Sequence, residues 1–317
     1  MPTFSIIIPV KPGGSVTALE SIRRLEYPPH QFEVLISEGT MPSRQRNLAA
    51  QQASGDLLYF LDDDSRPVPE ALKLCARAFE DQTVAVVGGP SLTPPGDSPL
   101  QRLFGVALCS FFGAGAMRNR YRSNGLLRQT TEQELILCNL AFRRESFLAA
   151  GGFDERLYPN EENELLDRIN AAGHRLLHDP ALAVERSQRP TLAAFMRQMR
   201  SYGRGRAQQT LLAGPRSLVS FAPLFFVCYL LALPLLPAGT VRFLPLLVYL
   251  ILAALFSVGA VIASARLESV LVLLLYPVMH VCNGIGLLSG FMGGRPIGNK
   301  SGEVQVKLVK AFDQSSW

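Results

Sequence analysis

Three aspartates, Asp62, Asp63 and Asp64, close a short apolar run in the segment "LYFLDDDSRPVPE" (58–70). Adjacent carboxylates repel, and burial raises the cost of ionising them. A divalent cation held by oxygen ligands offsets that repulsion; a solvated acidic turn is the plain alternative. A second acidic group, Glu161, Glu162 and Glu164, crowds the start of an expected helix in "YPNEENELLDRINAAGH" (158–174). Acids in a first helical turn are favoured by the helix dipole.

The elements that position these acids follow from the apolar pattern. "FSIIIPV" (4–10), "FEVLIS" (32–37), "DLLYFLD" (56–62) and "VAVVGGP" (84–90) read as strands from their β-branched and aromatic content. Between them, "SVTALESIRRLEY" (15–27, with Ser15 as its cap), "SRQRNLAAQQAS" (43–54) and "PEALKLCARAFE" (69–80) have helical spacing. Strand and helix alternating at short spacing predict an α/β fold with an open, mostly parallel sheet and helices on both faces. Such sheets bind ligands beyond the carboxyl ends of their strands, which is where Asp62–Asp64 fall. Residues 91–130 lose the alternation and read as a substrate-covering or membrane-adjacent loop, basic over "MRNRYRSNGLLR" (117–128). Strand, turn and helix return over "LILCNLAFRRESFLAAGGFDE" (135–155).

Mean hydropathy is +0.18, high for a soluble enzyme, and the apolar residues are unevenly spread. The pattern predicts a soluble domain over 1–210, a membrane region over 211–294 and a basic tail over 295–317. Within the membrane region, runs at 218–236, 243–263 and 269–291 each approach or exceed the roughly 20 residues that cross a bilayer as a helix. Arg186, Arg189, Arg197, Arg200, Arg204, Arg206 and Arg216 precede the first run, with no acid or lysine among them. By the positive-inside rule that stretch, and the domain before it, face the cytoplasm from an inner membrane. Three crossings put the tail on the far side, although Arg295, Lys300, Lys307 and Lys310 outnumber Glu303 and Asp313 there. Pro223, Pro234 and Pro237 in and beside the first run leave two crossings open. Only His280 and Asn283 are notable polar residues in the runs, which argues against a transporter.

Cys75, Cys109, Cys138, Cys228 and Cys282 are odd in number and form no C-x-x-C, so neither a disulfide framework nor a zinc site is expected. His174 and His178 lack metal-ligand spacing. "MPTFSIIIPV" reads as a strand and not as a signal peptide. Lys+Arg 31 against Asp+Glu 26 is a modest excess, and no nucleic-acid partner is expected.

Taken in order, "FSIIIPVK", "YPPHQFEVLISEG", "RQRNLAAQQASGDLLYFLDDDS", "NLAFRRESFLAAGGFDE" and "NEENELLDRINAAGHRLLHDP" resemble family 2 glycosyltransferases over about residues 3–210. The likeness is to the membrane-anchored bacterial branch that builds exopolysaccharide, including succinoglycan-type enzymes, where "EENEL" and "YGRGRA" recur. The resemblance implies a GT-A fold and inverting transfer from a nucleotide sugar to a lipid-linked or growing glycan at the cytoplasmic membrane face. It implies that Asp62 and Asp64 are the two acids of a D-x-D motif, holding Mn2+ or Mg2+ against the donor diphosphate, with Asp63 between them in the donor site. Glu162, preceded by Glu161, stands at the position of the general base; glutamate replaces the family's aspartate, so Glu161 stays a candidate. Glu38 stands where the family places an aspartate for the nucleoside. Arg186 stands where many relatives carry a histidine that is sometimes a metal ligand. "RQMRSYGRGR" replaces the Q-x-x-R-W of processive synthases.

Arg44 and Arg46 follow the second strand and can meet the nucleotide or its phosphates where geometry permits. Arg204 and Arg206 can grip the pyrophosphate or anionic headgroups; topology signalling explains them equally. Two other functions fit the chain less well. A polyprenyl-phosphate glycosyltransferase needs no strong hydroxyl base. A non-catalytic membrane scaffold is opposed by the intact Asp62, Asp64 and Glu162.

Overall fold

The computed structural model describes residues 1–215, 217–294 and 302–314. They form two compact units, one of residues 1–94, 119–187 and 302–314, the other of residues 95–118 and 188–294. Arg216 and the tail residues 295–301 and 315–317 lie outside the described residues.

In the first unit, β1 (Phe4–Val10), β2 (Phe32–Glu38) and β3 (Leu57–Leu61) pair in parallel with β1 in the middle. β1 and β3 are buried along their whole length, as strands covered on both faces must be. Phe4, Ile6, Ile8 and Tyr59 pack into one face, while Ile7, Leu58 and Phe60 pack into the other, the period-two alternation of a strand. The remaining strands are β4 (Arg66–Pro67), β5 (Val84–Gly88), β6 (Ser91–Leu92), β7 (Arg128–Gln129), β8 (Asn139–Arg143), β9 (Arg175–His178), β10 (Val184–Glu185) and β11 (Gln305–Lys310). The main sheet runs β11-β2-β1-β3-β8-β5-β9-β7, and β4, β10 and β6 form a small second sheet. Direction is more mixed than the alternating pattern suggests, because β8 is antiparallel to both β3 and β5. β8 follows the excursion through residues 91–130 and not a simple strand–helix–strand crossover.

In chain order the helices are α1 (Ala18–Ile22), α2 (Pro42–Gln52), α3 (Ala71–Ala78), α4 (Pro99–Cys109), α5 (Phe111–Ala114), α6 (Arg144–Ala149), α7 (Glu161–Ala171), α8 (Leu192–Ala213), α9 (Ala222–Ala232), α10 (Leu244–Ser264) and α11 (Val272–Met292). α1 is much shorter than the helix expected over 15–27, and Thr17 stands at its N-cap in place of Ser15. The chain tightens into three-residue turns, with Arg24 N–H to Ser21 O and Leu25 N–H to Ile22 O. Pro28 and Pro29 follow and cannot continue a helix.

Two segments differ from their sequence reading. Residues 91–130 are largely helical and not a loop. α4 opens on a capping box, Ser98 with Gln101, and has Pro99 at its first position, a signature local enough to read from sequence. α4 and the helical stretch Phe111–Arg120 meet at 75°. The basic tail contributes β11, which pairs antiparallel with β2. In β11, Val306 and Leu308 alternate with Gln305, Lys307 and Val309. The buried Lys310 ammonium donates to the carbonyls of Pro29, Phe32 and Ala311.

In the second unit, Leu218–Leu235, Thr240–Ser264 and Leu267–Met292 are each long and apolar enough to cross a membrane, at 18, 25 and 26 residues. They coincide with the three expected runs. α8 is capped by the Thr191 hydroxyl, which accepts from Ala194 N–H. α8 and α11 pack backbone to backbone: a Cβ on Gly203 would lie 2.0 Å from Asn283 O, and one on Gly286 would lie 2.1 Å from Arg200 O. Small residues permit this approach.

Candidate active site

β3 ends at Leu61, and the chain turns over Asp62–Ser65. Ser65 N–H donates to Asp62 O, and Asp62 N–H to Ser65 Oγ. Ser65 Oγ in turn donates to Cys138 O. The three aspartates are thereby fixed beyond the carboxyl end of β3. Asp63 O accepts from Ala18 N–H, which ties the turn to α1. Burial, and then the neighbouring Asp64 and Asp62, push the Asp63 carboxyl above its ordinary range.

Two arginines answer the remaining charge. Arg186 Nε donates to Asp64 Oδ1 at 2.5 Å, and its Nη2 lies 3.1 Å from Asp62 Oδ2. Arg46 Nη2 donates to Asp62 Oδ1 at 2.9 Å, and its Nη1 to Glu161 Oε1 at 3.1 Å. Arg46 comes from α2, which is held to the parallel strands by its neighbour. Gln45 Nε2 donates to Val10 O and Ser37 O, and Ser37 Oγ donates back to Gln45 O.

Glu161 and Glu162 begin α7. Before them Asn160 takes a left-handed backbone, φ 87°, a conformation asparagine tolerates better than most residues. Both glutamates are buried. Glu162 Oε1 lies 3.4 Å from Arg120 Nη1. Arg120 also donates to Gln133 O, Glu132 O and Asn163 Oδ1, so its position is tightly defined. The result is one chain of charges, Asp64–Arg186–Asp62–Arg46–Glu161, with the Glu162–Arg120 pair beside its end.

Burial, and then repulsion from Glu162, push Glu161 from 4.5 to about 8 against the pull of Arg46. Its second oxygen is buried without a hydrogen-bond partner, which also favours the neutral acid. Glu161 therefore keeps its proton near neutral pH and is a poor proton acceptor there. A stability test follows from the sign of the shift. Between about pH 4.5 and 8 the native state retains a proton that the unfolded chain releases, so stability falls as pH rises through that window. Glu161→Gln removes this titration. Its thermal midpoint should gain on the wild type by about a few degrees between pH 5 and pH 8. Parallel midpoint-against-pH curves for the two proteins would show that Glu161 titrates normally.

The other residues singled out from sequence have surroundings of their own. Glu38 Oε1 accepts from Gly13 N–H at 3.0 Å and shares no hydrogen bond with the acids. Arg44 is half-buried on α2, and its side chain has no hydrogen-bond or ion-pair partner among the described residues. Arg204 and Arg206 belong to the second unit, on α8. Arg204 is exposed; Arg206 is buried and donates to Gln209 Oε1 at 3.0 Å. Arg120 and Arg186 gain roles that spacing alone does not reveal. The basic run 117–128 marks Arg120 by type only, and Arg186 meets Asp62 and Asp64 because β10 pairs with β4 and β6.

Among the described residues, no group of three or more His, Cys, Asp or Glu side chains is placed to hold a metal ion. Asp62 and Asp64 offer two hard oxygen donors. That set suits Mg2+, or the similar Mn2+, when diphosphate oxygens and water complete the shell.

Comparison with known proteins shows the fold and the family. The pre-mycofactocin glycosyltransferase of Mycobacterium tuberculosis (strain CDC 1551 / Oshkosh) is 28% identical over 164 residues, covering 51% of this chain and 33% of that protein. The chain thus spans about a third of the length of that relative. The succinoglycan biosynthesis protein ExoA of Rhizobium meliloti (strain 1021) is 26% identical over 237 residues, 65% of this chain and 69% of ExoA. Among solved structures, the mannosyltransferase PcManGT from Pyrobaculum calidifontis, in complex with GDP-Man and Mn2+, aligns with a TM-score of 0.56 at 16% identity. That alignment covers 92% of this chain and 88% of the other, and it is a likeness of fold, the open α/β sheet of GT-A enzymes. The model described as "Glycosyl transferase family group 2" matches residues 57–258, a span that includes Asp62–Asp64, Arg120, Glu161, Glu162 and Arg186; the chain belongs to that family.

Proposed function

We propose that this chain is a membrane-associated inverting glycosyltransferase. It moves a sugar from a nucleoside diphosphate donor to a hydroxyl of a lipid-linked or growing glycan, at the cytoplasmic face of the inner membrane. The observation that carries this reading is the cluster in which Arg46 joins Asp62, beyond β3, to Glu161 at the start of α7. PcManGT's complex with GDP-Man and Mn2+ supports the donor class, and the name of ExoA supports a glycan product.

Asp62 and Asp64 would hold the Mn2+ or Mg2+ ion. Such a cation, when bound, stabilises the negative charge that develops on the departing nucleoside diphosphate. Arg46 and Arg186 keep positive potential at the same place. Glu162 accepts the proton of the acceptor hydroxyl. The oxygen bonds to the anomeric carbon as the bond from that carbon to the phosphate oxygen breaks, and the electron pair leaves with the nucleoside diphosphate. One in-line displacement of this kind inverts the anomeric centre.

Donor binding gives the direct test. The full chain in detergent is melted with UDP- and GDP-sugars, with and without Mn2+. At about one hundred times its Kd, the correct donor contributes roughly 2.7 kcal/mol, a rise of roughly 5 °C or more. Chelation should remove most of that rise, and Asp64→Ala should melt normally without donor yet show no rise with it. Protection by no donor under any condition would sink the reading.

A further inference from the structure

β2 and β11 are hydrogen-bonded in one sheet, yet the chain between them contains all three long apolar helices of the second unit. A sheet cannot straddle a bilayer, because paired strands lie only about 4.8 Å apart. Both strands are therefore on one side. Whatever the chain crosses between Ser187 and residue 302, it crosses an even number of times. Three crossings are incompatible with this pairing, so at least one apolar helix of the three does not cross.

Packing identifies which one. The windows at Leu218–Leu235 and Thr240–Ser264 are 11% and 17% buried, against 44% for Leu267–Met292. α9 and α10 leave Phe225, Leu231, Leu247, Leu255 and Ile262 exposed. α11 commits more of its surface to protein than either of the others. Tyr276 Oη donates to Ser110 Oγ, and His280 Nε2 meets Phe112 O at 2.8 Å. Beside α11 runs α8, in the same direction. Met199 O meets Asn283, Arg200 O lies at Gly286, and Arg204 O lies at Gly290. Arg197, Arg200 and Arg204 stand exposed along that stretch of α8. Guanidinium groups are costly in hydrocarbon, so α8 and the turns of α11 packed on it belong at headgroup depth.

The geometry points to a chain that crosses the bilayer twice, through an α9–α10 hairpin, with α11 laid beside α8 at the membrane surface and Arg197, Arg200 and Arg204 facing anionic lipid headgroups. The assignment rests on reading the apolar helices as membrane-embedded. Charge is consistent with it. The basic tail shares the side of the arginine-rich segment 186–216, as the positive-inside rule asks. The far turn, 236–242, carries the single charge of Arg242.

Cysteine labelling tests the arrangement. Single cysteines replace the exposed Gln82, Ala238, Arg266 and Gln314 in a background without the five native ones. A membrane-impermeant maleimide is then applied to each face of sealed vesicles. Positions 82, 266 and 314 should label from one face and 238 from the other. Labelling of 314 from the face opposite 82 overturns the even count. With 82 and 314 together, any other division of 238 and 266 overturns the choice of hairpin. If all four label from one face, no helix crosses, and the membrane-span reading falls together with this proposal. A topology reporter inserted after Ala238, or joined after Gln314, makes the same distinction if the cysteine-free protein does not fold. For the headgroup contact, phosphatidylglycerol added to the detergent should raise the thermal midpoint of the wild type. It should raise that of the Arg197→Gln, Arg200→Gln, Arg204→Gln triple variant less than half as much, and inorganic phosphate should raise neither. An equal rise in both proteins, or the same rise with phosphate, removes the lipid contact.

Discussion

Glu162→Gln is expected to lower turnover by roughly 10²–10⁴, the usual contribution of one positioned general base. The donor KM should change by no more than about twofold, because the lost interaction is one made in the transition state. Glutamine preserves the size of the side chain and an oxygen able to accept from Arg120, now 3.4 Å from the carboxylate. It cannot take up the proton of the acceptor hydroxyl. Glu161→Gln replaces a group that burial already keeps protonated near neutral pH, and it should reduce turnover far less. Initial rates at saturating donor separate the cases. A dead Glu161 variant beside a near-normal Glu162 variant would move the base back by one residue. If both retain full rate, the acids at the start of α7 only cap the helix, and a phosphate acceptor, which needs no strong base, gains ground.

Arg46→Ala should be the most damaging single change to the fold of the site. Arg46 is 5% exposed, and its two Nη atoms serve acids that arrive from different elements, Asp62 and Glu161. Truncation takes one of the two arginines from Asp62 and leaves the buried Glu161 carboxyl without its only side-chain donor among the described residues. Removing one partner of a buried ion pair destabilises by roughly 3–5 kcal/mol, which for a chain of this size lowers the thermal midpoint by roughly 10 °C. Donor protection should be lost as well, since Asp62 then answers to Arg186 alone. Arg46→Lys keeps the charge but not the fork that reaches two carboxylates, so it should recover less than half of the lost stability. Combining Arg46→Ala with Glu161→Gln should be less harmful than the two effects added, because both changes act on the same Arg46–Glu161 contact. An Arg46→Ala protein that melts within about 2 °C of the wild type would remove this pair from the account.

The parts of the molecule legible in sequence are those whose cause is local. β1 and β3 declare themselves as uninterrupted apolar runs, and the long apolar helices near 218–235, 240–264 and 267–292 by length with little charge. The places of the clustered acids were legible too, Asp62 and Asp64 at a strand end, Glu161 and Glu162 at a helix start. Their partners were not. Arg46 reads as a phosphate ligand, but it is engaged by carboxylates 16 and 115 positions away, and Arg186 reaches Asp64 across 122 positions. Such pairs depend on which strands become neighbours, and no periodicity records that. The reversed direction of β8 and the docking of β11 escape a local reading for the same reason.

The late position of β11 also orders events in time during synthesis. Every other strand of the main sheet is complete by His178, yet β2 has no outer neighbour until Gln305–Lys310 emerges. The chain must first produce all the apolar helices between Leu218 and Met292. Throughout that interval β2 is an open edge, the kind of surface that recruits strands from other molecules. Two carbonyls on the β2 side, those of Pro29 and Phe32, receive the Lys310 ammonium when the edge is finally covered, so the latecomer carries its own means of recognition. If the apolar helices enter lipid as proposed, a nascent chain delayed in delivering them is also one whose sheet stays unfinished, and failed insertion would surface first as aggregation through β2.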